Sequence, residues 1–202
     1  MKVCDNIKCV DFPCTDIDTT NFLVPYKKIN PRNIQIIIIT EAPPSDKKDY
    51  FYANGEPFYL QTTIQAFNEA GVNISSIQEI LDLGIYITTA IKCGKTQYMI
   101  STNTIKNCIK ILEEEVNLFP NIKAFMLMGD VAIKAMNYIW KRQIGRKVIP
   151  SGSTYKIRYQ KYYFGEKRVF PSYTPTGKNY LIEKSKRRMI AEDIEQAMSL
   201  IR

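Results

Sequence analysis

Two sets of residues in this chain of 202 could do chemistry. The first is a lone carboxylate in the stretch IIIITEAPPSDKKDYFYANGEPFYL, which runs from Ile36 to Leu60. A fully apolar run stops at Thr40, Glu41 follows, and Pro43 and Pro44 then stiffen the backbone ahead of a polar loop. A carboxylate fixed at the exit of a buried strand can orient or deprotonate a water. A capping or surface glutamate would not need two prolines to aim it. The second set is the five cysteines. Cys4, Cys9 and Cys14 are spaced C-x4-C-x4-C in a polar, turn-rich segment; Cys93 and Cys108 lie far downstream. Thiolates from two distant segments could close an iron–sulfur or zinc site. The competing reading is that they are buried free thiols.

Histidine is absent from the chain. A Ser-His-Asp triad, a Cys-His dyad, an imidazole general acid and any His-ligated metal are therefore excluded. The net charge is +8 and the pI about 9.1, which suits a polyanionic partner. The excess is concentrated: nine Lys/Arg and a single acid, Glu166, fall between Lys141 and Arg168. Tyr155, Tyr159, Tyr162, Tyr163 and Phe164 are interleaved with them. Cations track phosphates while aromatic rings stack on bases, so Lys141, Arg142, Arg146 and Lys147 are candidate contacts to a nucleic-acid backbone. The bland alternative is a solvated hairpin with an aromatic inner face.

The elements that must hold these residues alternate strand and helix. Ile34–Ile39 is a continuous β-branched run, as in the buried middle of a parallel sheet. Strands are expected again over Ile85–Ile91 and Lys123–Met128, and in the second half of a basic hairpin spanning Ser151–Phe170. Helical spacing covers Leu60–Gly71, Ser75–Leu83, Thr104–Leu118, Val131–Lys141 and Glu183–Ile201. The expected fold is α/β: a three-layer α/β/α sandwich around a central four-stranded, mostly parallel sheet. One domain spans 1–202, with 1–33 a cysteine-containing N-terminal extension packed on it. The chain has neither an apolar run of roughly 20 residues nor the apolar core of a secretory signal, so a cytoplasmic monomer is expected.

In open parallel sheets ligands sit beyond the carboxyl ends of the strands, so the four strand exits should converge. They read Thr40–Pro44 (TEAPP), Thr88–Cys93 (TTAIKC), Met128–Asp130 (MGD) and Pro171–Thr176 (PSYTPT). Together they resemble the uracil-DNA glycosylase superfamily, most closely its iron–sulfur family 4. That family's motifs GEAPG, G-x-PFVG, YITNxxKC, LG-x-x-A and PTYHPS find counterparts here. They are Thr40–Pro44, Gly55–Leu60, Tyr86–Cys93, Leu127–Ala132 (with one inserted residue) and Pro171–Thr176.

The resemblance implies a DNA glycosylase that flips a deaminated or damaged base, uracil or a relative, and hydrolyses its N-glycosidic bond. Glu41 and Thr174 would be catalytic, and Ala42, Phe58, Tyr59 and Thr89 would bind the base, with Phe58 stacking on it. Thr176 and Lys178 join the basic residues as contacts to the DNA backbone. Tyr180 or Leu181 would be the apolar wedge, or would simply begin the last helix. A 4Fe–4S cluster would take four of Cys4, Cys9, Cys14, Cys93 and Cys108. The family's C-x-x-C is absent, so the N-terminal pair stays open.

Two departures touch the chemistry. Thr89 replaces the asparagine that reads uracil, and a rotating hydroxyl cannot distinguish donor from acceptor as a planar amide does. Thr174 replaces the histidine that meets the departing base anion. Losing one such donor typically costs about 3–4 kcal/mol. In addition, Thr40 and Pro44 replace the outer glycines of GEAPG. The alternative function is a catalytically weak or inactive nucleic-acid-binding module on the same scaffold.

Overall fold

The computed structural model describes residues 1–201, without the side chains of Lys178 and Asn179. Among the described residues, seven strands form two sheets. The central sheet contains β2 (Ile36–Thr40), β3 (Ile85–Thr89), β5 (Ala124–Met128), β6 (Tyr162–Phe164) and β7 (Lys167–Ser172). A smaller antiparallel ribbon pairs β1 (Ile17–Phe22) with β4 (Cys93–Lys95). The helices are α1 (Phe58–Glu69), α2 (Ile77–Asp82), α3 (Thr102–Val116), α4 (Asp130–Ile144), α5 (Thr154–Ile157), α6 (Lys178–Ile182) and α7 (Lys184–Met198). Among the described residues, no helix is long and apolar enough to cross a membrane.

The central sheet has five strands in the order β3-β2-β5-β7-β6, not the four expected. β2, β3, β5 and β7 are mutually parallel, and the additional strand, β6, is an antiparallel edge. Its three residues are too few to display a period of their own. The expected hairpin is also shorter than Ser151–Phe170: the short helix α5 interrupts it, and the hairpin proper is β6 and β7. Arg158, just past α5, is drawn inward by ion pairs with Glu192 and Asp193 of α7.

Every residue of β2, β3 and β5 is buried, because helices cover both faces. α1 packs on α7 and α3 on α4. α1 therefore leaves β2 toward one face while α4 leaves β5 toward the other. Adjacent strands whose connections diverge in this way open a crevice between their exits, and those exits are Glu41 and Gly129. The loop after Pro44, polar in composition, nevertheless buries Tyr50, Phe51 and Tyr52, and the Tyr52 hydroxyl donates to the Ile87 carbonyl at 2.8 Å.

The N-terminal segment is tied down along its length. The Met1 ammonium donates to the Ile29 carbonyl at 2.7 Å, and Val3, Ile7 and Ile17 join the main core. Asp16 accepts from the Ser101 amide at 2.7 Å and from the Thr104 hydroxyl at the start of α3. Burial alone would raise the Asp16 carboxyl; these hydrogen bonds outweigh it and hold the group below its ordinary range.

Candidate active site

Glu41 leaves β2 at the mouth of the crevice and is held from several sides. Its carbonyl accepts from the Ile91 amide at 3.0 Å, and the Thr40 carbonyl accepts from the Ala90 amide at 2.8 Å, which straps the β2 exit to the β3 exit. The Glu41 carboxylate lies against Gly129, where a Cβ would stand 2.9 Å from Oε1. Gly129 itself has φ +102°, a left-handed conformation that a residue with a side chain adopts only under strain. Its amide donates to the Ser172 carbonyl at 2.9 Å, so the β5 and β7 exits are joined behind the carboxylate. On the open side, the Lys95 ammonium sits 3.2 Å from Glu41 Oε2, and both side chains are about three-quarters covered.

These groups line a cavity of about 590 Å³. Of the residues singled out in the sequence, Glu41, Ala42, Tyr59, Thr174 and Thr176 meet there. The hydroxyls of Thr174 and Thr176 are 3.0 Å apart and share a hydrogen bond. Burial, and then the charges of Glu41 and Asp49, push the Tyr59 phenol above its ordinary range, so it remains a neutral donor.

Other expected residues fall elsewhere. Phe58 does not line the cavity; it opens α1, its amide donates to Asp49 at 3.3 Å, and the aromatic side chain at the mouth is its neighbour Tyr59. Thr89 is fully buried behind the wall, and its hydroxyl has no partner among the described residues. Tyr180 is buried with its hydroxyl on Glu69 at 3.0 Å, whereas Leu181 is exposed. The side chain of Lys178 lies outside the described residues. Lys141 and Arg142 lie about 17 Å down α4 from Asp130 at the mouth, toward the opposite rim of the sheet. Arg146 and Lys147 follow them past the end of the helix, and Arg142 is paired with Glu113 of α3.

Four contributing residues were missed in the sequence. Lys95 is a single lysine in a polar segment; β4 pairs it with Ile17 of β1, and its amide donates to the Pro43 carbonyl at 3.1 Å, beside Glu41. Tyr98 and Met99 are almost wholly exposed apolar side chains on the cavity rim. Lys92 is the fourth: it is fully buried, paired with Glu115, and its ammonium donates to the Thr88 hydroxyl at 2.8 Å and to the Thr89 carbonyl. Tyr86 and Thr88 also donate to Glu115, at 2.6 and 2.9 Å. This buried network fixes the β3 exit from below.

The cysteines divide four to one. Cys9, Cys14, Cys93 and Cys108 line one small void together with Phe12, Phe22 and Ile111. Burial, and then the neighbouring thiols of Cys108, Cys9 and Cys14, push Cys93 up to about 12. Asn107 Nδ2 donates to Cys14 Sγ at 3.7 Å. Cys4 stands apart, with its thiol 3.7 Å from Asp5. Among the described residues, no three His, Cys, Asp or Glu side chains are gathered closely enough to hold a single metal ion.

A family model described as the uracil DNA glycosylase superfamily matches residues 26–197. No curated protein matches. Among solved structures, the chain is similar to the wild-type UNG crystal structure from Nitratifractor salsuginis. The identity is 11%, with 87% of this chain and 76% of that one covered and a TM-score of 0.43.

Proposed function

The chain belongs to the uracil-DNA glycosylase superfamily, and from that premise we propose that it removes a deaminated or damaged base from DNA by hydrolysing the N-glycosidic bond. The observation that carries the proposal is the setting of Glu41: a carboxylate at the topological switch point, pressed on Gly129, paired with Lys95 and open to a cavity of about 590 Å³. A flipped nucleotide would enter beside Tyr59. Glu41 would orient a water toward the anomeric carbon and take its proton as the bond to the base lengthens. The sugar gathers positive charge in that transition state and the departing base negative charge. The Glu41 side chain would face the first. For the second, the chain supplies the paired hydroxyls of Thr174 and Thr176 and the Lys95 ammonium, in place of an imidazole. Thr89, shut behind the wall, leaves uracil without a planar amide reader, so a base other than uracil can be the preferred substrate.

We assign the cysteine site to a 4Fe–4S cluster held by Cys9, Cys14, Cys93 and Cys108. The donor set is all thiol, which suits iron–sulfur or zinc. What supports the reading is that the four thiols line one small void. When bound, such a cluster would cross-link the N-terminal segment to β4 and α3.

The test is a panel of single- and double-stranded oligonucleotides carrying uracil, hypoxanthine, xanthine or other lesions, incubated with protein in excess and then cleaved by alkali. Strand scission at one lesion is expected. Intact strands across the panel, with binding retained, would establish the second reading, a non-catalytic DNA-binding module. That reading is favoured by the absence of histidine and the seclusion of Thr89.

A further inference from the structure

At the rim opposite Glu41, the N-terminal ends of β2, β5 and β7 border a groove of about 920 Å³, larger than the cavity at the mouth. Its position is fixed by the sheet: the Lys123 amide donates to the Gln35 carbonyl at 2.7 Å, and the Arg168 amide to the Lys123 carbonyl at 2.8 Å. Five cations border it (Arg32, Lys123, Lys161, Lys167 and Arg168) against one acid, Glu166. Among the described residues, none of the five has a carboxylate within 4.0 Å.

Arg168 anchors the groove. It is buried, and its guanidinium donates to the carbonyls of Tyr162 and Val169 at 3.0 and 2.7 Å. It also lies 5.4 Å from the ring centre of Tyr163 and 4.5 Å from that of Phe170. Carbonyl dipoles and ring faces orient a guanidinium but do not neutralise it. Tyr163, on the β6 edge, keeps 53% of its surface exposed beside this charge. Cations without a carboxylate partner among the described residues, set around an exposed ring, match a chain of phosphates carrying stackable bases. An acidic peptide would answer the charge but leave the ring without a planar partner.

We propose that this groove is a second nucleic-acid site, one that grips a single strand through its phosphates and stacks a base on Tyr163. Strands of five residues separate it from the mouth by about 17 Å, so it contacts nucleic acid away from the nucleotide at Glu41. It takes in the last part of the basic, aromatic-rich segment noted in the sequence, Lys161 to Arg168, and it does not depend on base removal at the mouth.

The test uses a fluorescent oligothymidylate of about twelve nucleotides, whose anisotropy is followed across a salt series. It compares the wild type with Lys161→Ala/Lys167→Ala, Arg32→Ala and Tyr163→Ala, none of which removes a buried side chain. Unchanged thermal midpoints would show that the variants fold. The lysine pair should lower the slope of log K against log salt by about 1.4, at roughly 0.7 per phosphate contact. Tyr163→Ala should weaken binding roughly 5- to 150-fold. Affinities and slopes equal to wild type in all three variants would overturn the proposal by confining binding to the mouth. Binding of an oligoglutamate peptide that is lost in the same variants, with oligothymidylate unaffected, would overturn it in favour of an acidic protein partner.

Discussion

The position of one carboxylate depends on one glycine. Gly129 lets Glu41 lie flat against the β5 exit, and its φ of +102° disfavours any replacement. Gly129→Ala should lower stability by about 1–2 kcal/mol through backbone strain. It should also slow base removal far more than that loss implies, because the new methyl group displaces the carboxylate. Thermal unfolding together with single-turnover kinetics separates the two effects; wild-type rates in the Gly129→Ala variant would show that Glu41 does not need this wall. At this scale the sequence was half legible. Glu41 announced itself by following an apolar run and preceding two prolines. The family resemblance points to Phe58 rather than Tyr59 as the stacking ring, but neighbours on a helix point about 100° apart, and the docking of α1 puts Tyr59 at the cavity. Lys95 carried no signal, since its significance lies entirely in what stands opposite it.

The elements that carry these residues are braced by buried charge. Lys92 and Glu115 are both fully enclosed, and Glu115 accepts from Lys92, Tyr86 and Thr88. Removing one partner strands the other in a low-dielectric core, so Glu115→Gln should destabilise the protein by about 3–5 kcal/mol, measured by denaturant unfolding. Lys92→Met/Glu115→Leu together should be much milder, because no lone charge remains. Equal losses in the two variants would mean that packing, not charge, dominates. The order of strands and helices was readable because β2 and β5 are nearly unbroken apolar runs, β3 (IYITT) is rich in β-branched residues, and α3 and α7 have one apolar face. β6 was not, being three residues of an edge whose strand character comes from pairing with β7. The start of α4 was readable, but not its end, which runs on from Lys141 to Ile144, nor its consequence: a fifteen-residue helix that starts at the mouth must deliver Lys141 and Arg142 to the far rim.

Across the whole molecule, cysteines of the N-terminal segment meet those of β4 and α3 around one void, where we propose the cluster. Cys→Ser changes at Cys9, Cys14, Cys93 or Cys108 should each abolish the broad visible absorbance and bound iron of anaerobically purified protein, whereas Cys4→Ser should keep both. Equal iron in all five variants would refute the cluster assignment. The spacing of Cys4, Cys9 and Cys14 could not single out a pair, because the choice depends on how the β1–β4 ribbon folds the segment back over α3. The same global geometry brings Glu41, Lys95, Tyr59 and Thr174 to one mouth, and the central claim is that this mouth performs hydrolysis with Glu41 as its water-directing group. Single-turnover formation of abasic sites on the best lesion substrate, wild type against Glu41→Gln, tests it most directly. The account predicts a fall of about 10²–10⁴-fold in rate with DNA affinity retained; a Glu41→Gln variant as fast as the wild type would contradict it.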